Sequence, residues 1–397
     1  MASSTVSVAY DSIRIDENEV MQSRLNIEDK TRSNLFAWRG QFSPQLIEAM
    51  LDSYSTEQTI VADPFLGSGT VLYECARKSI SAVGTEINPS AYYMAKTYEL
   101  CKFDLRQRLA LLHHVENHIS DVLNMSNPLD ELLSIAKNSP STIIRNVVSL
   151  LIVLMDLYNN KFASELLHDK WDDLRYIISA LPYSNERVHA ILCDARSMEV
   201  KDNVIDLIIT SPPYINVFNY HQKYRRSVEA LGYDVLKIAK VEVGANRKNR
   251  GNRFLTVIEY CLDMALALKE MIRVSKPNAR IILVVGRESN VLANAFCNSE
   301  LIYELASGVF GLPLILKQQR AFKNKYGQMI YEDILHFSNT KLDQTIFHDE
   351  LLDASRKVGI SALNEKLSKL DASDKNYRLL VLAIDNADRV KPSEGMQ

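Results

Sequence analysis

The stretch DPFLGSGT, residues 63–70, combines an acidic residue and two glycines in a pattern that suits ligand binding. A short apolar run ends at Asp63, Gly67 and Gly69 permit a tight turn, and helical spacing begins near Thr70. Such a loop presents backbone N–H groups and the positive end of a helix to a polar or anionic ligand group. Because glycine has no Cβ atom, a ligand can also approach the main chain closely. Taken alone, the same pattern is compatible with a plain turn.

Glu86 favours the ligand-binding interpretation of this loop. It ends the next apolar run along the chain, which is where an acidic residue hydrogen-bonds the hydroxyls of a ribose. No Gly-Lys-Ser/Thr follows the loop, and the third glycine of a dinucleotide fingerprint is missing. The pattern therefore predicts a site for a nucleoside that carries an amino-acid tail rather than for a nucleotide.

A second unusual stretch is DLIITSPPYINVFNY, residues 206–220, in which an apolar run ends in Ser-Pro-Pro-Tyr. Proline removes backbone donors and disfavours helical geometry in the residue before it, so Ser211 and Pro212 are predicted to be extended. Their carbonyl groups and the Ser211 hydroxyl could accept N–H bonds from an exocyclic amino group, and Tyr214 offers a flat face. The alternative is an ordinary turn after a strand. With the glycine loop and Glu86 in the same chain, we favour a pocket for a planar base that carries an amino group.

The elements that must position these residues follow the alternation of a parallel α/β sheet. The sequence predicts helices at 71–78 and 256–274, and strands at 59–65, 81–89, 188–196, 204–210, 279–286 and 331–338. These elements predict a parallel α/β sheet. Ser43 is a predicted helix N-cap, with Pro44 in the first helical position.

The alternation is interrupted once, and this divides the chain into four predicted parts. Residues 34–101 and 189–338 are predicted to form one catalytic domain. Residues 102–188 form a mostly helical insertion, which could read a target sequence. Residues 1–33 are a partly ordered arm, and residues 339–397 are a helical extension.

Composition restricts the cellular setting and the partners. The chain has 397 residues, 47% of them hydrophobic, and no apolar run approaches the length that a membrane span needs. The five cysteines include no CxxC pair, which argues against disulfides or a zinc ribbon and predicts a cytoplasmic protein. The N-terminus does not resemble a secretory signal. Since the net charge is −3, any surface for nucleic acid must be a local patch.

Six segments together resemble one family, the DNA amino-methyltransferases, which use S-adenosyl-L-methionine to methylate the exocyclic nitrogen of cytosine or adenine. ADPFLGSGT resembles their cofactor loop, AVGTEINP their acidic strand end, and LCDARSM their third cofactor segment. TSPPY resembles their catalytic motif, WRGQFSP the segment that closes over the methionine, and YEDILHFS their last strand. The order of these segments differs from that of many circularly permuted relatives, and the insertion falls at an unusual position.

The resemblance implies a Rossmann-like α/β fold with a mostly parallel seven-stranded sheet, and it also implies roles for individual residues. Asp63, Gly67 and Gly69 would border the methionine, Glu86 would bind the ribose, and Asp194 would meet the adenine amino group. The implied catalytic residues are Ser211, Pro212, Pro213 and Tyr214, with Tyr214 stacked on a base flipped out of the duplex. The full set of implied cofactor residues is Phe42, Ser43, Pro44, Asp63, Pro64, Phe65, Gly67, Ser68, Gly69, Thr70, Glu86, Asp194 and Ala195.

A serine in the first position of the catalytic motif is more typical of the cytosine-N4 enzymes, whereas adenine enzymes usually carry Asp or Asn. We therefore expect direct methyl transfer to the N4 of cytosine in duplex DNA. No cysteine follows a proline, which disfavours methylation at carbon 5. The alternatives are an adenine-N6 enzyme, an RNA enzyme acting on the N2 of guanine in tRNA, and a catalytically inactive DNA-binding protein.

DNA is predicted to lie along residues 221–253, where basic residues outnumber acidic ones. A second basic patch is predicted at Lys317, Arg320, Lys323 and Lys325. A restriction endonuclease acting on the same site is a possible partner, and a monomer or weak dimer would suit such a methylase. The residues predicted to contact DNA are Tyr220, Lys223, Arg225, Arg226, Arg247, Lys248, Arg250 and Arg253.

Overall fold

The computed structural model describes residues 9–125, 128–157, 164–215, 220–245, 249–324, 327–340 and 346–395. The predicted Arg247, Lys248 and Lys325 lie outside the described residues. Within the described residues the chain has one large sheet of seven strands and one small hairpin. The strands are β1 Ile60–Asp63, β2 Ser81–Thr85, β3 Val188–Ile191, β4 Ile205–Thr210, β5 Ser275–Gly286, β6 Glu288–Val291, β7 Asn294–Cys297, β8 Leu314–Lys323 and β9 Met329–Ser338.

The large sheet confirms the predicted fold class. Its strand order is β3-β2-β1-β4-β5-β9-β8, and β1 to β5 run parallel. β9 joins antiparallel to β5, and β8 antiparallel to β9. The chain moves outward from β1 to β3 and then returns to place β4 on the other side of β1. Such a reversal opens a crevice at the carboxyl ends of the two central strands, where ligands bind in open α/β sheets.

Alternation along the central strands builds a core on each face of the sheet. In β4, Leu207 and Ile209 belong to one core and Ile208 to the other. Helices cover both faces: α1 Gln22–Asn26, α2 Pro44–Tyr54, α3 Thr70–Arg77, α4 Pro89–Lys96, α5 Leu105–Leu123, α6 Leu129–Asn138, α7 Thr142–Leu154, α8 Ser164–Ser179, α9 Arg225–Ala230, α10 Val235–Val241, α11 Leu255–Val274, α12 Asn298–Tyr303, α13 His348–Leu367 and α14 Tyr377–Asp385. In the described part of the chain, no helix is long and apolar enough to cross a membrane.

The insertion and the extension pack on opposite faces of the sheet. Helices α5–α8 of the insertion contribute Val115, Val148 and Trp171 to the core that also holds Leu207. The extension contributes Leu351 and Leu363 of α13 to the other core. α13 lies directly on α11, because Gly359 leaves room for Ile258; a Cβ at Gly359 would stand 3.0 Å from the Ile258 Cα.

Three of the strands, β8 and the two strands of the β6–β7 hairpin, were not predicted from the sequence. β8 carries Lys317, Gln318, Gln319 and Arg320 in succession, so it lacks the apolar alternation that identifies a strand. The β6–β7 hairpin turns through Leu292 and Ala293 with φ of 51° and 66°. Residues with positive φ in a two-residue hairpin turn are usually Gly, Asn or Asp, so the sequence carried no signal for this turn.

Part of the predicted arm, residues 9–33, covers the outer edge of β8. The backbone N–H of Asp16 donates to the Lys317 carbonyl at 2.7 Å, and the Gln22 amide donates to the Gln319 carbonyl at 2.8 Å. The Ala321 N–H donates to the Asn26 side chain at 2.9 Å. Since β9 occupies the other side of β8, these bonds serve alternate backbone groups of the edge that the sheet leaves open.

Candidate active site

One cavity of about 930 Å³ opens at the carboxyl ends of the central strands. All of the predicted catalytic residues, Ser211, Pro212, Pro213 and Tyr214, line it, and Tyr220 lines it as well. The predicted cofactor residues at its surface are Phe42, Ser43, Pro64, Phe65, Gly67, Thr70, Glu86, Asp194 and Ala195. The glycine loop after β1 and the Ser-Pro-Pro-Tyr corner after β4 therefore share a single cavity, as the fold of the sheet requires.

Four predicted cofactor residues do not belong to the lining of this cavity: Pro44, Asp63, Ser68 and Gly69. Pro44 is buried as the first residue of α2, and Ser43 precedes it without a side-chain capping bond. The Ser68 hydroxyl donates to the Gln41 side chain at 2.6 Å. Gly69 precedes α3 with φ of 89° and packs against Ala95. All four residues are buried behind the surface of the cavity.

Asp63 joins the ends of β1 and β4 beneath the cavity. Its Oδ1 accepts the Thr210 hydroxyl at 2.6 Å and the Phe65 N–H at 3.2 Å. Its Oδ2 is buried and has no hydrogen-bond partner among the described residues. Burial raises the pKa of this carboxyl to about 7. The bond to Thr210 holds the glycine loop and the catalytic corner at a set distance from each other.

Glu86 holds the glycine loop to the start of α4. Its Oε2 accepts the Gly67 N–H and its Oε1 accepts the Asn88 N–H, both at 2.7 Å. Gly67 has φ of 54°, which turns its N–H toward Glu86. Burial raises the pKa of Glu86 to about 7, so the carboxyl titrates near neutral pH. Both oxygens keep acceptor capacity toward the cavity, since a carboxylate offers about four lone-pair sites.

The Ser-Pro-Pro-Tyr corner rests on β5 and β9. The Tyr214 ring packs on Gly286, where a Cβ would stand 2.5 Å from the ring. The Tyr214 hydroxyl donates to Glu332 Oε1 at 3.3 Å, and burial raises the pKa of this tyrosine. Ser211 is partly exposed at the cavity surface, while Pro212 is buried. Gly286 is therefore the residue that allows the tyrosine ring to lie flat at the end of the sheet.

An ion pair between Arg320 and Glu332 also lines this end of the cavity, and the sequence analysis missed its role. Arg320 Nε donates to Glu332 Oε2 at 2.6 Å, and both side chains are largely buried. The second basic patch predicted for DNA is therefore wrong at Lys317 and Arg320, which are both buried. Lys317 is buried, with its Nζ 3.6 Å from the centre of the Tyr10 ring. Burial lowers the pKa of Lys317, and of this patch only Lys323 is exposed among the described residues.

The segment WRGQFSP, residues 38–44, lies over the cavity and is bonded to both sides of it. Trp38 stacks on Tyr220 with ring centres 6.3 Å apart and planes at 18°. The Lys223 ammonium donates to the Ala37 carbonyl and lies 5.8 Å from the Trp38 ring. On the other side, the Gln41 side chain accepts from Ser68. The cavity thus has an aromatic wall made by two segments that are distant in sequence.

The predicted DNA-binding residues differ in their exposure to solvent. Arg226 and Arg250 are exposed. Lys223 is engaged with the 38–44 segment, and burial lowers its pKa. Arg225 pairs with Glu229 of the same helix at 2.7 Å. Arg253 is half-buried at the start of α11.

Asp194 lines the cavity after β3 and is paired with a residue that was not predicted. Arg196 Nε donates to Asp194 Oδ1 at 2.9 Å, and Nη2 donates to Oδ2 at 2.6 Å. The sequence offered one signal for this pair, an acid and a base two residues apart directly after a strand. Their burial could not be read from the sequence.

Comparison with known proteins agrees with the geometry of the site. Residues 14–97 match the N6/N4 methyltransferase family, described as DNA methylase. The type II methyltransferase M.MjaII of Methanocaldococcus jannaschii is 35% identical over 75 residues, which cover 19% of this chain and 14% of that protein. The type II methyltransferase M.HpaI of Haemophilus parainfluenzae is 32% identical over 108 residues, which cover 23% of this chain and 34% of that protein. The matched segments span about a third or less of these two relatives.

Solved structures with a similar arrangement are remote. A SAM-dependent methyltransferase from Methanosarcina mazei has a TM-score of 0.35 at 12% identity, covering 73% of this chain and 96% of that one. The rRNA methyltransferase aviRa from Streptomyces viridochromogenes has a TM-score of 0.31 at 9% identity, covering 86% and 96%. The fold is established by the strand order of the sheet itself.

Proposed function

We propose, from the match of residues 14–97 to the DNA methylase family, that this chain is a DNA amino-methyltransferase that uses S-adenosyl-L-methionine. We propose cytosine N4 in duplex DNA as the acceptor. One observation carries the proposal: the glycine loop with Glu86 and the Ser-Pro-Pro-Tyr corner line the same cavity. A methyl group can pass directly between two ligands only if their sites adjoin.

The residues at one end of the cavity fit the proposed cofactor. Gly67 presents main chain at the surface, and the Glu86 carboxylate can accept the ribose hydroxyls. Asp194 can accept from the adenine amino group, and Phe42 and Ser43 close the methionine side. The cofactor supplies a methyl group on a positively charged sulfur. The residues around it hold it in one orientation.

The other end of the cavity fits a base with an amino group. The Ser211 hydroxyl and the Ser211 and Pro212 carbonyls can accept the N–H bonds of that group. This localises the nitrogen lone pair, which is otherwise delocalised into the ring and poorly nucleophilic. Alignment of this nitrogen with the methyl group supplies further acceleration. The duplex base must leave its stack at a cost of a few kcal/mol, which stacking on Tyr214 offsets in part.

We propose cytosine and not adenine as the base because of Ser211, since serine at this position is more typical of cytosine-N4 enzymes. DNA from cells that express the protein, sequenced by a method that detects modified bases, is expected to contain N4-methylcytosine in a short fixed context. Cells that express Ser211→Ala serve as the control and are expected to lack the modification. N6-methyladenine in its place would overturn the cytosine assignment. Methylation of tRNA but not of DNA would overturn the DNA substrate.

Phosphate contacts are proposed for the basic segment 221–253, which adjoins the catalytic corner in sequence. Arg226 and Arg250 are exposed there, and Arg247 and Lys248 lie outside the described residues. In the insertion 102–188 acidic residues outnumber basic ones, so that segment is a poor electrostatic match for the DNA backbone. Reading of bases by the insertion stays a prediction.

The raised pKa of Glu86 predicts a pH-dependent affinity for the ribose. The free carboxyl has its pKa raised to about 7 by burial, whereas ribose hydroxyls are bound best by the ionised form. Binding at pH 6 must therefore release a proton, and the affinity should fall by up to about tenfold per pH unit below 7. Calorimetry with adenosine tests this between pH 6 and 8, because adenosine has no group that titrates there. Glu86→Gln should bind adenosine more weakly and without this pH dependence; an equally steep profile in Glu86→Gln would assign the effect to another group.

A further inference from the structure

Arg196 is the centre of a buried charge cluster next to the cavity. Its side chain is 4% exposed. Besides the two bonds to Asp194, Nη1 donates to Asp263 Oδ1 and Nη2 to the Val241 carbonyl, each at 2.8 Å. Asp194 and Val241 both line the cavity and come from different elements, the end of β3 and the end of α10. One guanidinium therefore ties together two parts of the cavity wall.

The cluster is completed by residues 391–395, here called the return segment. Arg196 Nη1 also donates to the Ser393 carbonyl at 3.3 Å. The Ser393 N–H donates to Asp263 Oδ1 at 2.8 Å, and its hydroxyl donates to Glu259 Oε1 at 3.0 Å. A Cβ on Gly395 would stand 3.9 Å from Asp194 Oδ2. The return segment thus reaches from the extension across α11 to the back of the cavity wall.

Packing contacts hold the return segment in place. Ala387 and Val390, which precede it, are buried in the core shared by α11 and α13. Arg356 of α13 donates to the Val390 carbonyl at 3.2 Å. The earlier part of the extension therefore anchors the return segment, which contacts the cluster through the main-chain groups and the hydroxyl of Ser393.

Burying these charges costs folding free energy unless every residue of the cluster is in place. Asp194 and Asp263 are buried against Arg196, Glu259 is buried as well, and Asp263 Oδ2 has no hydrogen-bond partner among the described residues. Removing one partner from such a cluster leaves an uncompensated buried charge. Asp194 is the member that faces the cavity, so a disturbance of the cluster alters the carboxylate that a ligand meets.

We propose that Arg196 is a positioning residue for the adenine end of the cofactor site, and that the return segment holds Arg196 in place. The inference rests on the proposed function, in which Asp194 accepts from the adenine amino group. The extension then has a part in cofactor affinity although none of its described residues lines the cavity. The acceptor base lies at the other end and is unaffected by it.

The decisive variant is a chain that ends at Val390, compared with the full chain. We expect its dissociation constants for adenosine and for S-adenosyl-L-methionine to rise together by about 10- to 100-fold, the loss caused by one hydrogen bond to a charged group. The KM for the cofactor should rise in the same proportion, while kcat and the KM for DNA change by less than about threefold. A merely structural role would instead lower kcat and both affinities together with the melting temperature.

Two substitutions keep the test valid if the shortened chain folds poorly. Ser393→Pro removes the N–H bond to Asp263 and the bond to Glu259, and it should reproduce the loss of adenosine affinity. Arg196→Lys keeps the charge but not the paired bonds to Asp194, and it should do the same. Glu394→Ala, at the exposed neighbouring position, is the matched control and should bind as the full chain does. Unchanged adenosine affinity in Ser393→Pro and Arg196→Lys would overturn the inference, whereas a full chain that binds no cofactor would overturn the proposed function itself.

Discussion

Replacing Ser211 by alanine is expected to lower the rate of methyl transfer by about 100- to 1000-fold, the effect of losing one positioned hydrogen-bond partner of a reacting group. The hydroxyl lies at the surface of the cavity beside Pro212, where it can orient the amino group of the base. It makes no bond to the glycine loop, so cofactor affinity should not change. Single-turnover kinetics with saturating cofactor measure the chemical step directly.

The matched control for this experiment is Ser120→Ala, an exposed serine in α5 that is distant in sequence from the site. Ser211→Asp is informative as well, because an aspartate can accept the same N–H bonds and is usual in adenine enzymes. It should retain more activity than Ser211→Ala. If Ser211→Ala reacts within threefold of the unaltered enzyme, the hydroxyl has no part in orienting the base.

Replacing Gly69 by alanine should lower the free energy of unfolding by about 2–5 kcal/mol, from backbone strain and overpacking together. Gly69 has φ of 89°, and a Cβ there would stand 2.8 Å from the Ala95 Cβ and 2.9 Å from the Ala95 Cα. Because one of these atoms is main chain of α4, rotation of a side chain cannot relieve the contact. Urea denaturation followed by circular dichroism gives the change in midpoint.

Gly251→Ala is the control, since no atom of the described residues lies within 4 Å of a Cβ placed at Gly251 and its φ is not positive. It should unfold within about 0.5 kcal/mol of the unaltered chain. Equal stability of Gly69→Ala and Gly251→Ala would show that the glycine loop is free to shift. It would then not be the rigid turn on which the site is built.

The sequence was most informative where chemistry and main-chain geometry depend on the same residues. Gly67 permits a turn and the two prolines of the Ser-Pro-Pro-Tyr corner restrict the backbone. These residues and Glu86 were correctly located after the carboxyl end of a strand. Apolar runs identified β1, β4 and β5 for the same reason, because a strand buried on both faces must be apolar throughout. These signals are local, so a single sequence contains them.

What the sequence could not predict depends on contacts between distant segments. Lys317 is predicted as a surface cation from its type, yet Tyr10 of the arm covers it. Arg320 is paired with Glu332 across β8 and β9, and Arg196 with Asp263 of α11. The sequence does not say which strands and helices are neighbours. An arginine or lysine of a buried ion pair therefore cannot be distinguished in the sequence from one in an exposed basic patch.

The bonds from Asp16, Gln22 and Asn26 to the outer side of β8 bear on the solubility of the protein. A strand whose main-chain groups are unpaired is a template on which a second molecule can extend the sheet, and proteins suppress this by covering such edges. The arm fulfils that protective role here, and the family match from residue 14 onward includes it. Shortening the chain to begin at residue 34 would therefore leave the cavity residues intact but invite fibril-like self-association.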